Sequence, residues 1–185
     1  MAKNTTVKVM SDKAISLALN RIAHEIIEKN NGVDDVVIIG IRTGGAILAE
    51  RVKKLLDKIC DADVPLGIID ITLYRDDIQG KLDQPLVQKT EILFDIVEKV
   101  VILVDDVLYT GRTVRAALDA LIDFGRPKSI QLAILVDRGH RELPIGGNYI
   151  GKEIPTSHSE RVEVHLKELQ GKDEVIIDRS GRGGV

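Results

Sequence analysis

The thirteen residues at positions 101–113, VILVDDVLYTGRT, constrain this chain more than any other stretch. An apolar strand ends in two adjacent carboxylates, Asp105 and Asp106, and a loop carrying Tyr109, Thr110, Gly111, Arg112 and Thr113 follows. A helical pattern, TVRAALDALIDFG, begins where the loop stops, with Gly125 as its expected end. Strand, loop and helix in that order build a parallel sheet covered on both faces, whose ligands gather at the carboxyl ends of the strands. Backbone N–H groups at a helix N-terminus, with hydroxyls and a permissive glycine, make a phosphate cradle. Two carboxylates beside such a cradle suit a ligand that offers both hydroxyls and a phosphate, as a ribose 5-phosphate does. An acidic pair after a strand also occurs in receiver-type phosphoacceptor sites and as a helix cap. A receiver domain, however, places its acids near the chain start, whereas roughly 80 residues follow them here. Neither GxxxxGK[ST] nor GxGxxG is present, so ATP and dinucleotide binding lack their phosphate loops.

The rest of the chain repeats the alternation. Residues 11–29 read as an amphipathic helix capped by Ser11 or Asp12 and ended by Gly32, with Ile15, Leu19, Ile22 and Ile26 on its buried face. The run VVIIG at 36–40 enters the loop GIRTGG and the helix AILAERVKKLLDKI, and further strands are expected at 66–72, 100–106 and 129–136. The expectation is one α/β domain over residues 1–185, a parallel sheet flanked by helices. A polar stretch at 75–91, containing Gly80 and Pro85, is long enough to mark a functional loop or hairpin arm. After Val136 the chain is rich in turn residues (Pro144, Gly146, Gly147, Gly151, Pro155), and the end, DRSGRGGV, carries no motif and is expected to be mobile.

Composition removes other classes. The net charge is −3 with a pI near 5.8, so any nucleic-acid contact must come from a local patch. Aromatics are 3 %, too few for base-stacking platforms of the RRM or OB type. The single cysteine, Cys60, forms no internal disulfide and falls in an apolar-periodic stretch, which argues for burial. The first residues have no apolar signal core and no stretch is long enough to span a membrane, so a cytoplasmic location is expected.

At residues 101–113 the sequence resembles the type I phosphoribosyltransferases, whose signature is a strand, an acidic pair and a TG-containing phosphate loop. The resemblance implies that Asp105 and Asp106 bind the ribose 2- and 3-hydroxyls of PRPP. It gives the 5-phosphate to Val107, Leu108, Tyr109, Thr110, Gly111, Arg112 and Thr113. The loop GIRTGG, with Ile41, Arg42, Thr43 and Gly44, becomes the pyrophosphate loop, and residues 75–91 become a closing lid. Magnesium is expected to arrive with PRPP rather than on protein ligands of its own. The implied fold adds a flexible loop and a small hood to the sheet.

The runs NRIAHEIIEKN, GIRTGGAILAER, VILVDDVLYTGRTVRAALDAL and RPKSIQLAILVDRGHRELPI, with YIGKEIPTS, extend the resemblance to one family. They are similar to the PyrR family of bacterial pyrimidine-operon attenuation regulators, which are also uracil phosphoribosyltransferases. By that resemblance Val136, Asp137, Arg138 and Val162 lie at the uracil. Leader mRNA meets a basic face drawn from Arg21, His24, Lys29, His140, Arg141 and Lys152, in a homodimer or larger oligomer that responds to UMP or UTP. Arg141→Ala is expected to weaken RNA binding while sparing UMP synthesis. Many relatives carry a basic residue shortly after ELPI, where this chain has Gly146-Gly147. Two alternatives stay open: a uracil salvage enzyme without RNA binding, and a purine phosphoribosyltransferase sharing only the PRPP signature.

Overall fold

The computed structural model describes residues 6–74 and 90–180. Eight strands are present among them: β1 (Thr6–Ser11), β2 (Val36–Ile41), β3 (Leu66–Ile69), β4 (Val100–Leu108), β5 (Ser129–Asp137), β6 (Tyr149–Glu153), β7 (Arg161–His165) and β8 (Glu174–Asp178). The helices are α1 (Asp12–Asn30), α2 (Gly44–Cys60), α3 (Arg112–Ile122) and the single turn α4 (Lys167–Gln170). The main sheet is parallel throughout, in the order β3-β2-β4-β5-β6.

Both faces of this sheet are buried, which is why its central strands read as unbroken apolar runs. On one face Val36, Ile38, Ile102 and Val104 pack with Ile15, Leu19, Ile22 and Ile26 of α1 and Leu48, Val52 and Leu56 of α2. On the other, Val37, Ile39, Val101 and Leu103 pack with Val114, Ala117 and Leu121 of α3. The four apolar positions expected on α1 are all buried. Ser11 caps that helix, its Oγ accepting from the Ala14 N–H at 3.3 Å. Asn31 takes the left-handed position at the other end, one residue before the expected Gly32.

Boundaries differ from the expectations for visible reasons. β3 stops at Ile69 because the Asp70 carboxylate accepts from the Thr72 N–H (2.9 Å) and hydroxyl (2.6 Å), turning the chain into a 3-10 turn at Thr72–Tyr74. β4 runs two residues beyond the expected end, so Asp105 and Asp106 lie within the strand. α2 begins at Gly44 rather than after the glycines. Cys60 ends α2 half-buried against the core.

The turn-rich C-terminal region holds three strands that its alternation did not disclose. β6 adds a parallel edge to the main sheet, while β7 and β8 join β1 in a separate antiparallel sheet ordered β1-β8-β7. The small hood therefore draws on both ends of the chain. Arg51 of α2 holds the α4 turn, donating to Glu168 (3.0 Å from Nε) and to both oxygens of Asp173 at 2.8 Å. Within the hood, Glu174 is buried among Lys8 (2.7 Å), Lys172 and His165 (3.2 Å), which hold its pKa down to about 2. Among the described residues no helix is long and apolar enough to cross a membrane.

Candidate active site

The carboxylates Asp105 and Asp106 sit near the carboxyl end of β4, the central strand. Asp105 is buried, and its Oδ1 accepts from the Asp106 N–H at 2.9 Å. Asp106 accepts from the Val107 N–H at 2.8 Å. Burial raises the Asp106 pKa, while those N–H groups oppose the rise. The amino end of α2 closes directly onto this pair. A Cβ on Gly44 would come within 2.3 Å of Asp106 Oδ2, and one on Gly45 within 2.4 Å of the Val104 carbonyl oxygen. Only glycines allow so close an approach, and the close approach brings the two expected ligand loops side by side. Ile41 is buried at the end of β2, the Arg42–Thr43 peptide is cis, and the Arg42 N–H donates to the Ile69 carbonyl at 3.0 Å.

The segment expected to hold phosphate has a shorter loop than its seven residues suggest. Val107 and Leu108 belong to β4, and the Leu108 side chain lies in the core beneath α3. The loop begins at Tyr109, and Gly111, at φ 93°, turns it into α3. Gly111 itself carries no capping side chain, the Arg112 N–H leans on Thr110 Oγ1 at 3.4 Å, and the turn presents the amino end of α3, where backbone N–H groups favour an anion.

The uracil candidates divide. Val136 is fully buried in β5, and Val162 is buried in the hood core. Asp137 accepts from the Gly139 N–H at 2.9 Å and pairs with Arg141. Arg138 is no solvated loop charge. It is buried, its guanidinium 4.1 Å from the Tyr109 ring centre, donating to Thr156 Oγ1 (3.2 Å) and to the carbonyls of Ser157 (3.1 Å) and Glu160 (2.7 Å). Burial lowers its pKa. Tyr109 thereby joins its own loop to the loop after β6, His140 meets its ring edge-on with centres 6.0 Å apart, and His158 lies tilted 4.0 Å from His140. Thr156, His158, Glu160 and Glu142 were not singled out from the sequence, and no local motif marks them, because they act through tertiary contacts.

The RNA candidates fall into two groups. Arg21 of α1 donates to Glu25 (2.8 Å) and to the Ile150 (3.0 Å) and Gly151 (2.7 Å) carbonyls on the edge strand β6. Lys152 of the same strand donates to the Val9 carbonyl at 2.9 Å, Lys29 lies 5.4 Å from the Tyr149 ring centre, and His24 is exposed on α1. His140 and Arg141 sit instead beside the phosphate loop. His140 Nε2 lies 2.6 Å from the Thr156 carbonyl oxygen, and Arg141 donates to the carbonyls of Tyr109 (2.9 Å), Ile145 (2.8 Å) and Gly139 (3.2 Å). Arg141 thus braces the turn at Tyr109, so truncating it would also loosen the expected phosphate loop.

The expected lid falls largely outside the described residues, which exclude 75–89; its flanks return to β3, where Glu91 and Ile68 exchange backbone hydrogen bonds of 2.8 and 3.0 Å. A cleft of about 400 Å³ opens at the opposite, amino end of the main sheet, lined by Lys29, Asn30, Asp35, Lys128 and Gln131 among others. It is remote from the acidic pair. Among the described residues no cluster of His, Cys, Asp and Glu is suited to a metal ion.

Residues 8–169 match the phosphoribosyl transferase domain family. The chain is 57 % identical over 170 residues to the bifunctional protein PyrR of Thermoanaerobacter sp. (strain X514), covering 92 % of this chain and 96 % of that protein. It is 55 % identical over 170 residues to the bifunctional protein PyrR of Clostridioides difficile (strain 630), with the same coverage. A hypoxanthine phosphoribosyltransferase structure from Trypanosoma cruzi superimposes with a TM-score of 0.71 at 17 % identity, covering 97 % of this chain and 94 % of that one. Identity that low speaks for the shared fold alone, and the fold is the type I phosphoribosyltransferase sheet with its flanking helices.

Proposed function

The chain belongs to the phosphoribosyltransferase family and, within it, to the bifunctional PyrR proteins; from that premise we propose that it binds pyrimidine-operon leader mRNA in a UMP-dependent manner, regulating transcription by attenuation, and converts uracil and PRPP to UMP and pyrophosphate. The observation that carries the enzymatic half is the contact between the amino end of α2 and the carboxyl end of β4, which are separate in sequence. Gly44, the first residue of α2, lies against Asp106, and β4 leads from Asp106 into the Tyr109–Gly111 turn and the first residues of α3. One bound sugar phosphate can therefore reach all three elements.

In the reaction the bond from ribose C1 to a pyrophosphate oxygen breaks, N1 of uracil bonds to C1, and the N1 proton ends on the released pyrophosphate. Positive charge develops on the sugar ring. Asp105 and Asp106 accept hydrogen bonds from the ribose hydroxyls and face that charge, the amides of Thr110, Gly111, Arg112 and Thr113 hold the 5-phosphate, and residues 41–44 orient the pyrophosphate. Magnesium enters as part of the substrate, chelated by PRPP. The base is read as lying at the Asp137–Arg138 end of β5, with Val136 and Val162 backing that end from the core. Because Arg138 spends its guanidinium on the 156–160 loop, it acts on the base chiefly by fixing that loop in place.

For RNA, the reading uses Arg21, His24, Lys29 and Lys152 along α1 and β6 with His140 and Arg141 at the nucleotide end. UMP or UTP occupies the catalytic site during regulation. The protein is proposed to act in the cytoplasm as a single domain over 1–185, in a homodimer or larger assembly.

A second reading, uracil salvage without RNA binding, draws on two facts. Arg21 and Arg141 are engaged internally, and the position after ELPI is glycine, with open space around Gly146. Base preference tests the enzymatic half. Turnover of uracil with PRPP, and none of hypoxanthine or guanine, is expected; the reverse preference would overturn it.

A further inference from the structure

We infer that the phosphate loop and residues 139–145 behave as one hydrogen-bonded unit, in which Glu142 is the positioning side chain that couples nucleotide binding on the loop to RNA binding on the segment. This rests on the regulatory reading above and concerns how it is carried out.

The loop is held from behind by its carbonyls. The Thr110 carbonyl accepts from the Glu142 N–H at 3.0 Å and the Leu143 N–H at 3.2 Å, and the Tyr109 carbonyl accepts from Arg141 at 2.9 Å. Across the loop, Arg112 Nε donates to the Glu142 carboxylate at 2.7 Å. A Cβ on Gly111 would stand 3.4 Å from those of Leu143 and Ile145, so the segment also packs against the turn itself.

Peptide planarity makes this arrangement directional. The Tyr109 carbonyl shares a rigid plane with the Thr110 N–H, and the Thr110 carbonyl shares one with the Gly111 N–H. In a trans peptide the two groups point in opposite directions. A phosphate that accepts from the Thr110 and Gly111 N–H groups therefore aims the Tyr109 and Thr110 carbonyls at Arg141, Glu142 and Leu143. Ordering the loop orders the segment. A ligand shifts a conformational equilibrium only by its differential affinity for the two states, and here the phosphate contacts supply that difference. Linkage then requires RNA to tighten UMP by the same factor by which UMP tightens RNA.

Glu142 is the tie that substitution can reach. Both partners of its ion pair are about half exposed, at 42 % for Arg112 and 51 % for Glu142. An exposed pair of this kind shifts an equilibrium by at most about fivefold. The effect on coupling should be of that size, with little loss of fold.

The experiment measures affinity for a transcript of the pyrimidine-operon leader from the same genome, with UMP, with uridine and with neither, for the wild type, Glu142→Gln and Glu142→Asp. The quantity read is the ratio of affinities with and without UMP, in which the general charge effect of removing a carboxylate cancels. In Glu142→Gln this ratio falls about threefold to fivefold, Glu142→Asp recovers most of it, and uridine, lacking the phosphate, enhances nothing. The UMP affinity of each protein in the presence and absence of RNA shifts by the matching factor. A wild-type ratio in Glu142→Gln, or enhancement by uridine equal to that by UMP, would overturn the inference. Failure of the wild type itself to bind the transcript would instead overturn the regulatory reading on which the inference stands.

Discussion

The phosphate loop and the 137–160 region meet at Tyr109, yet they are built in opposite ways. Residues 100–113 act through their neighbours in sequence: a strand brings two carboxylates to its end, a glycine turns the chain, and a helix begins. The other region acts through reach. Arg141 finds Tyr109 across 32 positions, Arg112 finds Glu142 across 30, and Arg138 finds Thr156 across 18. Chemistry that needs a phosphate cradle can be written into a dozen contiguous residues. A surface that reports on that cradle has to be assembled around it from distant parts.

The difference can be broken at its contiguous end with the largest effect. Asp105→Asn combined with Asp106→Asn should lower UMP formation by about a thousandfold or more, the scale on which loss of preorganised polar groups acts. Melting temperature should change little, because amides of the same shape replace one buried and one half-buried carboxylate and can still accept from the Asp106 and Val107 N–H groups. An enzyme that kept its rate would remove the acidic pair from the ribose site.

Next in size is Gly44→Ala. The added methyl lies on top of Asp106 Oδ2, so either the carboxylate or the amino end of α2 must move by about 1 Å, a displacement that costs on the order of a hundredfold in rate. A variant with wild-type kcat/KM would show that the two elements need not touch.

At the assembled end the signature is stability together with activity. Arg138→Ala abandons hydrogen bonds to Thr156, Ser157 and Glu160, and the loss should be about 2–3 kcal/mol. For a chain of this length that lowers Tm by about 5–10 °C. UMP synthesis should fall in parallel as the 156–160 loop loosens. A fall in activity with no change in Tm would make Arg138 a direct base ligand rather than a support.

The fine end of the series is in the hood. Lys172, Lys8 and His165 depress the Glu174 pKa from 4.5 to about 2. A depressed carboxylate stabilises the fold above its unfolded pKa, and the benefit is lost as pH falls towards the folded value. Denaturant titrations should therefore find Glu174→Gln less stable than wild type at pH 7, the gap narrowing between pH 4.5 and 2, with UMP synthesis unchanged at neutral pH. A gap independent of pH would mean that packing, not charge, explains the buried glutamate.

The same contrast decides what the sequence disclosed. Four strands of the main sheet, three helices and the acidic pair with its loop were readable because each is announced by periodicity or by residues adjacent in sequence. β6 was hidden by the glycine and prolines around it, and β7 and β8 by their short runs. β1 gave no sign because its partner, β8, lies at the other end of the chain, and Val7 pairing with Ile177 leaves no local trace. Arg138 and Arg141 could be picked out from the sequence by resemblance, but not their burial or their partners. Those follow from where β5 and β6 place the intervening turns.

If the nucleotide site and an RNA-binding face belong to one machine, UMP must change the affinity for RNA, and a single titration reads that change. The wild-type protein is titrated against the pyrimidine-operon leader transcript, with and without UMP, at two salt concentrations. Binding that UMP strengthens and salt weakens is the predicted result, the salt dependence reporting phosphate contacts by the basic side chains. No binding under any of the four conditions would contradict the claim and leave a uracil phosphoribosyltransferase alone.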